Sequence, residues 1–244
     1  LAGIDPCDPE VDKRMHTVRS AFHSPHSAVQ EVLDRIVGPG LSVTLVDAAC
    51  ASSLYSLTLG MHALESNQAD AVIAGGFFCP GPGNSCLFSQ FRGTTSSGCR
   101  PFDANADGVV FSEGAALVTL RRIEDAERFD LDISAVVAGA GLSSDGRSPS
   151  ANVPQSKGQL LSLERCYANY GIDPASIVAI EGHGTSTPVG DATELVTLRS
   201  FFAANHSGPI GPIPVHSLKG LLGHAGWAAG TASVIAVCEY MRNG

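Results

Sequence analysis

The sequence predicts an α/β fold, in which short buried strands alternate with helices layered on a largely parallel or mixed sheet. Three observations predict it. Apolar, β-branched runs of strand length recur at 41–46, 69–76, 115–120, 133–140, 177–180 and 213–217. Between them, apolar residues fall at helical spacing, as in Leu54, Leu57, Met61 and Leu64. The 27 glycines, with small residues crowding the apolar runs, suit closely packed layers.

Taken in order, Leu1 to Ser27 is polar, broken by Pro6, Pro9 and Pro25, and reads as loop, with His16, His23 and His26 as solvated surface. Ala28 to Val37 reads as an amphipathic helix ended by Gly38-Pro39-Gly40. Leu41 to Val46 reads as a buried strand that turns at Cys50 into a helix reaching Leu64. Ala69 to Gly76 is the next strand, and Pro80 to Gly83 a loop. Asn84 to Arg100 reads as irregular, anchored by Phe88 and Phe91. Arg100 to Gly114 is rich in turn formers and carboxylates. Asp103, Asn105 and Asp107 have the look of a calcium loop, but no glutamate stands at the required downstream spacing, so a structural loop is preferred. The strands at 115–120 and 133–140 flank a charged helical turn, Arg121 to Arg128. Gln155 to Tyr170 is a helix with Leu160, Leu163, Tyr167 and Tyr170 on one face, stopped by Gly171. Asp191 to Phe202 is a further helix, and Ala228 to Met241 one that is apolar nearly all round and so expected in the core.

Composition excludes several classes. A formal net charge of −9 argues against a nucleic-acid surface. No apolar run reaches membrane-spanning length, and no charged-then-apolar leader opens the sequence. Seven cysteines with no CxxC pair read as reduced thiols of a cytoplasmic protein. A zinc site through Cys79, Cys86 and Cys99 lacks the short paired spacing such sites use, so no metal is expected.

The chemistry concentrates at strand ends, where open α/β sheets bind ligands. Cys50 stands at a predicted helix start, where unpaired N–H groups and the helix dipole favour the nucleophilic thiolate. A buried structural cysteine is the alternative. His183 lies among Gly182, Gly184 and the hydroxyls of Thr185, Ser186 and Thr187. His224 follows Lys219 by five residues and is again flanked by glycine. An imidazole beside an ammonium stays neutral and can donate a hydrogen bond to a developing oxyanion. Strand, glycine-flanked turn and small-residue helix occur around Cys50 and again around His224, a faint internal echo.

Four stretches in this order, VDAACASSL, RPFDANADGVVFSEGA, EGHGTSTPVGD and LKGLLGHAGWAAG, resemble the successive motifs of β-ketoacyl synthases. The resemblance is to the ketosynthase domains of polyketide and polyunsaturated-fatty-acid synthases, within the thiolase superfamily. It implies a thiolase-like layered α-β-α-β-α fold of two related halves with mixed sheets, here partial. On that reading 1–244 is one ketosynthase domain, with approximately 1–128 in the N-terminal half and 129–244 in the C-terminal half. The resemblance implies Cys50 as the acylated nucleophile, His183 and His224 as the histidine pair, and Lys219 as the motif lysine. It places Thr185 and Thr187 on the phosphopantetheine arm and Glu194 as an acidic supporting residue. Ala51 stands where the family motif commonly has serine.

The implied reaction is decarboxylative Claisen condensation of a Cys-bound acyl group with a malonyl-type extender. No cofactor is bound directly; both substrates ride on the phosphopantetheine of an acyl carrier protein. Implied partners are that carrier, the rest of a larger synthase and a second copy of the chain, meeting through Leu41 to Val46. Complete members have more chain before the cysteine and after the second histidine, so the sequence reads as incomplete at both ends. Arg121, Arg122 and Arg128 are candidates for carrier docking, with a solvated helix face as the preferred reading. The rivals are a thiolase-like acyltransferase, a cysteine protease and a non-catalytic protein that sets chain length or acts as a scaffold. The protease reading explains neither His224 nor the threonine loop.

Overall fold

The computed structural model describes residues 25–91, 93–147, 153–205 and 211–243. The chain forms two compact units, Leu1–Asp47 and Ala48–Gly244.

In the first unit, helix α1 (Pro25–Ile36) begins three residues before the expected Ala28. Its Gln30 side chain donates to the Leu41 carbonyl at 3.3 Å. The exposed ring of His26 sits 3.2 Å from the Val43 carbonyl. The expected strand at 41–46 joins no ladder among the described residues. A strand needs a partner for its N–H and C=O groups, and a local apolar run does not supply one. The loop reading of Leu1 to Ser27 falls largely outside the described residues, as do His16 and His23.

In the second unit, a 3₁₀ turn (Ala49–Ala51) opens α2 (Ser52–Glu65), followed by β1 (Val72–Phe78), α3 (Pro82–Gln90) and β2 (Gly114–Leu120). Next come α4 (Ile123–Arg128), α5 (Ser156–Tyr170), β3 (Ile180–Glu181) and α6 (Pro188–Asn205). The last elements are β4 (Val215–His216), α7 (Lys219–Leu222) and α8 (Ala229–Asn243). β1 and β2 pair antiparallel, from Val72 opposite Leu120 to Phe78 opposite Gly114. β3 and β4 pair parallel, Ile180 opposite Val215. Among the described residues these are two separate two-stranded sheets rather than one mixed sheet; 133–140 forms no ladder, and the strands expected at 177–180 and 213–217 shrink to two residues each.

Side chains alternate across β1 and β2, as the pleat requires. Ala74, Phe78 and Ala116 are buried on one face, while Ile73, Phe77 and Leu117 lie exposed on the other. Small residues bring α8 against α2. The Thr231 N–H donates to Ser53 Oγ at 3.0 Å, and both residues are fully buried. A Cβ on Gly230 would meet Leu54 Cγ at 2.6 Å, so this approach needs glycine. The packing of α5 on α6 is aromatic, with Tyr167 and Phe201 ring centroids 4.7 Å apart. α5 ends at Gly171 in the left-handed conformation, as expected.

Other expectations need correction. The stretch read as loop and irregular chain holds α3. Pro82 is its first residue, the helical position where a missing N–H costs nothing. Phe88 anchors it against Phe111, with centroids 4.8 Å apart, but Phe91 is exposed. α8 is not buried all round: Val234, Val237, Cys238 and Met241 face a cavity. Arg122 is no solvated docking charge. It donates to the Leu64 and Ala69 carbonyls at 2.9 Å each and pairs with Asp70 and Asp125, which fixes the end of α2. No helix among the described residues is long and apolar enough to cross a membrane.

Candidate active site

Cys50 sits in the 3₁₀ turn that opens α2. The turn is closed locally. The Ala51 and Ser52 N–H groups donate to the carbonyls of Ala48 and Ala49, and Ser52 Oγ accepts from the Ala48 N–H at 2.8 Å. Those donors are therefore committed, and the Cys50 amide is the backbone group that favours a thiolate. Burial outweighs it. The Cys50 thiol is pushed up, chiefly by desolvation, against the opposing effects of Lys219 and its own amide. Desolvation thus opposes the field of the helix start, which favours the thiolate, and is the larger effect.

His224 reaches Cys50 from the other end of the unit, with Nε2 3.1 Å from Sγ. It is held on both sides. Its N–H donates to the Val110 carbonyl at 2.7 Å, and its carbonyl accepts from the Ser112 N–H at 3.1 Å. The Phe111 ring lies beside it, with centroids 5.8 Å apart. The Gly226 N–H donates to His224 Nδ1 at 3.0 Å. A backbone N–H can only donate, so Nδ1 is bare in the neutral ring and Nε2 carries the proton toward the sulfur. Only 2% of His224 is exposed. Burial first, then the Lys219 charge, lowers its pKa to about 4.

His183 brings the second ring, with its centroid 5.7 Å from that of His224 and nearly perpendicular to it. Burial, then Lys219 and His224, lowers its pKa to about 3. Dense protein surrounds the ring, yet the residue stays exposed on the cavity wall, so water tempers that burial; the direction, toward neutral imidazole, follows also from the Lys219 charge. Glu194 on α6 fixes the His183 loop, accepting from the His183 N–H at 2.6 Å and the Gly184 N–H at 2.9 Å. Burial raises the Glu194 pKa, and those two N–H groups oppose the rise.

Lys219 is 4% exposed, at the start of α7. Burial lowers its pKa, while Glu181, Glu194, Cys50 and Cys99 act to hold the proton. A cavity of about 1430 Å³ is lined by Cys50, His183, Glu194 and Lys219, and otherwise by mainly aliphatic side chains of α2, α5, α6 and α8. That is large for a small-molecule pocket and fits a ligand with a long apolar part. His224 stands behind Cys50 rather than on this wall. Thr185 and Thr187 are not on it either. Their hydroxyls lie 3.0 Å from each other.

The RPFDANADG stretch, read from the sequence as a structural loop, clamps the His183 segment. The Arg100 N–H donates to Ser186 Oγ at 2.9 Å, the Phe102 N–H to Asp191 Oδ2 at 2.7 Å, and the Gly108 N–H to the Ser186 carbonyl at 2.7 Å. Asp103 Oδ1 accepts from the Asn105 N–H and Asp107 Oδ2 from the Ser97 hydroxyl, so both carboxylates serve the loop itself. Among the described residues, no group of three or more histidines, cysteines or carboxylates could hold a metal ion. Glu181 is a site residue that sequence reasoning missed. Its signal is a lone charge closing an apolar strand, two residues before His183.

Residues 38–126 match the model for the β-ketoacyl synthase N-terminal domain, and 134–244 that for the C-terminal domain. The chain is 36% identical over 208 residues to a mycoketide-CoA synthase of Mycobacterium tuberculosis, covering 84% of this chain and 5% of that protein. It is 37% identical over 209 residues to a phenolphthiocerol synthesis polyketide synthase of Mycobacterium bovis, covering 85% of this chain and 10% of that protein. It superposes with a TM-score of 0.78 and 32% identity on the ketosynthase from module 6 of the bacillaene synthase from Bacillus subtilis 168, covering 81% of this chain and 35% of that one. The chain therefore spans a small part of the curated relatives it matches.

Proposed function

This chain belongs to the β-ketoacyl synthase family, and from that premise we propose that it catalyses decarboxylative condensation of an acyl group on Cys50 with a malonyl-type extender. The observation that carries the proposal is the meeting of His224 Nε2 with Cys50 Sγ at 3.1 Å, with His183 beside them.

In the first half-reaction the Cys50 thiolate attacks the thioester carbonyl of a carrier-borne acyl group. The carrier's sulfur leaves as a thiol, taking the proton that Cys50 gave up. Nε2–H of His224 and the Lys219 charge stabilise the transient thiolate, and the Cys50 amide faces the developing oxyanion. The aliphatic wall of the cavity receives the acyl chain.

In the second, a malonyl thioester enters. Its carboxylate leaves as carbon dioxide, and the electron pair of the broken bond becomes an enolate. Two neutral imidazoles, each with one N–H to give, hold the enolate oxygen. Their depressed pKa values keep them neutral at pH 7. The enolate carbon attacks the Cys50 thioester, the C–S bond breaks, and the β-ketoacyl product departs on the carrier. Thr185 and Thr187 are proposed to contact the phosphopantetheine arm, and Glu194 to support the His183 loop. The same reading expects a homodimer through the 41–46 segment, where Leu41 and Leu45 are exposed. A non-catalytic scaffold role has no observation in its favour, since the thiol and both imidazoles are present and close.

The test is incubation of the protein with an acyl thioester and then with a malonyl-carrier protein. An acyl adduct on Cys50 by intact mass, absent in Cys50→Ala, followed by carbon dioxide release, is expected. An adduct on another residue would overturn the assignment.

A further inference from the structure

We propose that Glu181 is a positioning residue: its buried carboxylate ties the strand carrying His183 to the turn carrying Lys219, and supplies the negative charge beside which Lys219 is buried. The inference rests on the condensing reading of the site.

Geometry carries it. The Glu181 side chain is 6% exposed. Oε1 accepts from the Leu218 N–H at 2.7 Å and from the Ser233 hydroxyl at 2.8 Å. Oε2 accepts no well-aligned hydrogen bond but lies 2.7 Å from Nδ1 of the half-exposed His216, close enough to pair when that ring is protonated. One carboxylate thus joins β3, β4, the start of α7 and α8. These elements carry His183 two residues after Glu181, Lys219 one residue after Leu218, and the helix that follows His224. Glu181 also lines the cavity with Lys219, Glu194 and Cys50.

A carboxylate favours the charged form of a nearby ammonium. Two carboxylates around Lys219 hold its proton, Glu181 on β3 first and Glu194 on α6; Cys50 before α2 and Cys99 in the loop before β2 act the same way only as thiolates. Lys219 in turn adds to burial in lowering the pKa of His183 and His224, and opposes the rise that burial causes at Cys50. Glu181 therefore reaches the chemistry through Lys219.

The chain has only three lysines, Lys13, Lys157 and Lys219, so lysine Cε NMR can follow Lys219 directly, with Lys219→Arg to assign it. Glu181→Gln keeps the shape and an acceptor for Leu218 and Ser233 and removes only the charge. The Lys219 midpoint is expected to fall by about one pH unit or more, and the basic limb of carbon dioxide release to move down with it. A merely structural role would leave both in place. Glu181→Asp, which keeps the charge at longer reach, is expected to give an intermediate midpoint and guards against a glutamine variant that does not fold. A Lys219 midpoint unchanged in these variants would overturn the proposal. Absence of carbon dioxide release in the unaltered protein would instead overturn the condensing reading, and the lysine titration would still decide the role of Glu181.

Discussion

The Cys50 sulfur and His224 Nε2 meet across 174 positions of sequence. That contact ties a thiol whose pKa burial raises to a ring whose proton is directed at it by the Gly226 amide. His224→Ala removes the donor, and loss of one such donor raises a barrier by ~3 kcal/mol. Condensation should fall about 10²- to 10³-fold in single-turnover assays, while intact mass still finds an acyl group on Cys50. His224→Gln, which can present an N–H near the same point, should recover part of the loss. Equal defects in the two variants would show that the donor is not what matters. The residues are legible in the sequence because each follows an apolar run, Cys50 at a predicted helix start and His224 in a glycine-flanked turn. Their protonation is not. The helix start at Cys50 suggests a thiolate, but desolvation depends on packing partners that sequence distance hides. Glu181 is illegible for the same reason, since its partners lie at Leu218 and Ser233.

At the scale of elements, loops that look irregular place the site. The 100–112 segment binds the His183 motif through Ser186 and Asp191 and the His224 motif through Val110 and Ser112. Gly184 is a close approach among these loops: its φ is +39°, and a Cβ there would lie 2.7 Å from that of Ser217 and 2.8 Å from Phe102 Cε2. Gly184→Ala should displace His183 and depress carbon dioxide release more than Cys50 acylation; parallel losses would place the damage elsewhere. Arg122 has a different task. Arg122→Ala removes the guanidinium donor from the Leu64 and Ala69 carbonyls, of which Leu64 keeps the Asn67 N–H, and should cost about 2 kcal/mol in urea unfolding, with Cys50 acylation unchanged per folded molecule. Helices are legible because their period is local, although α3 hides behind a proline that looks like a breaker and proves to be a first turn. Strands are less so, because 41–46 and 133–140 carry the right residues without a ladder to join among those described.

For the whole molecule, the thiolase-like α/β fold concentrates neutral imidazoles around one buried cation, and acid stability should report it. His224 has a native pKa of about 4 against an ordinary 6.5. Between those values the unfolded chain binds a proton that the native site refuses. The stabilisation is therefore complete above pH 6.5 and is lost as pH falls toward 4. The loss amounts to ~3 kcal/mol for a shift of this size. Chemical denaturation from pH 7.5 to about 4.5 should show it, and His224→Gln should flatten the decline. His183 acts in the same direction, to a smaller extent where it opens onto the cavity.

The most direct measurement follows both half-reactions in one sample: intact-mass detection of the Cys50 adduct together with labelled carbon dioxide release from a malonyl-carrier substrate, in the unaltered protein and in His224→Ala. The geometry predicts an adduct on Cys50 in both, and carbon dioxide release in the unaltered protein that nearly vanishes in the variant. Undiminished release from His224→Ala, or an acyl group carried by another residue, would contradict it.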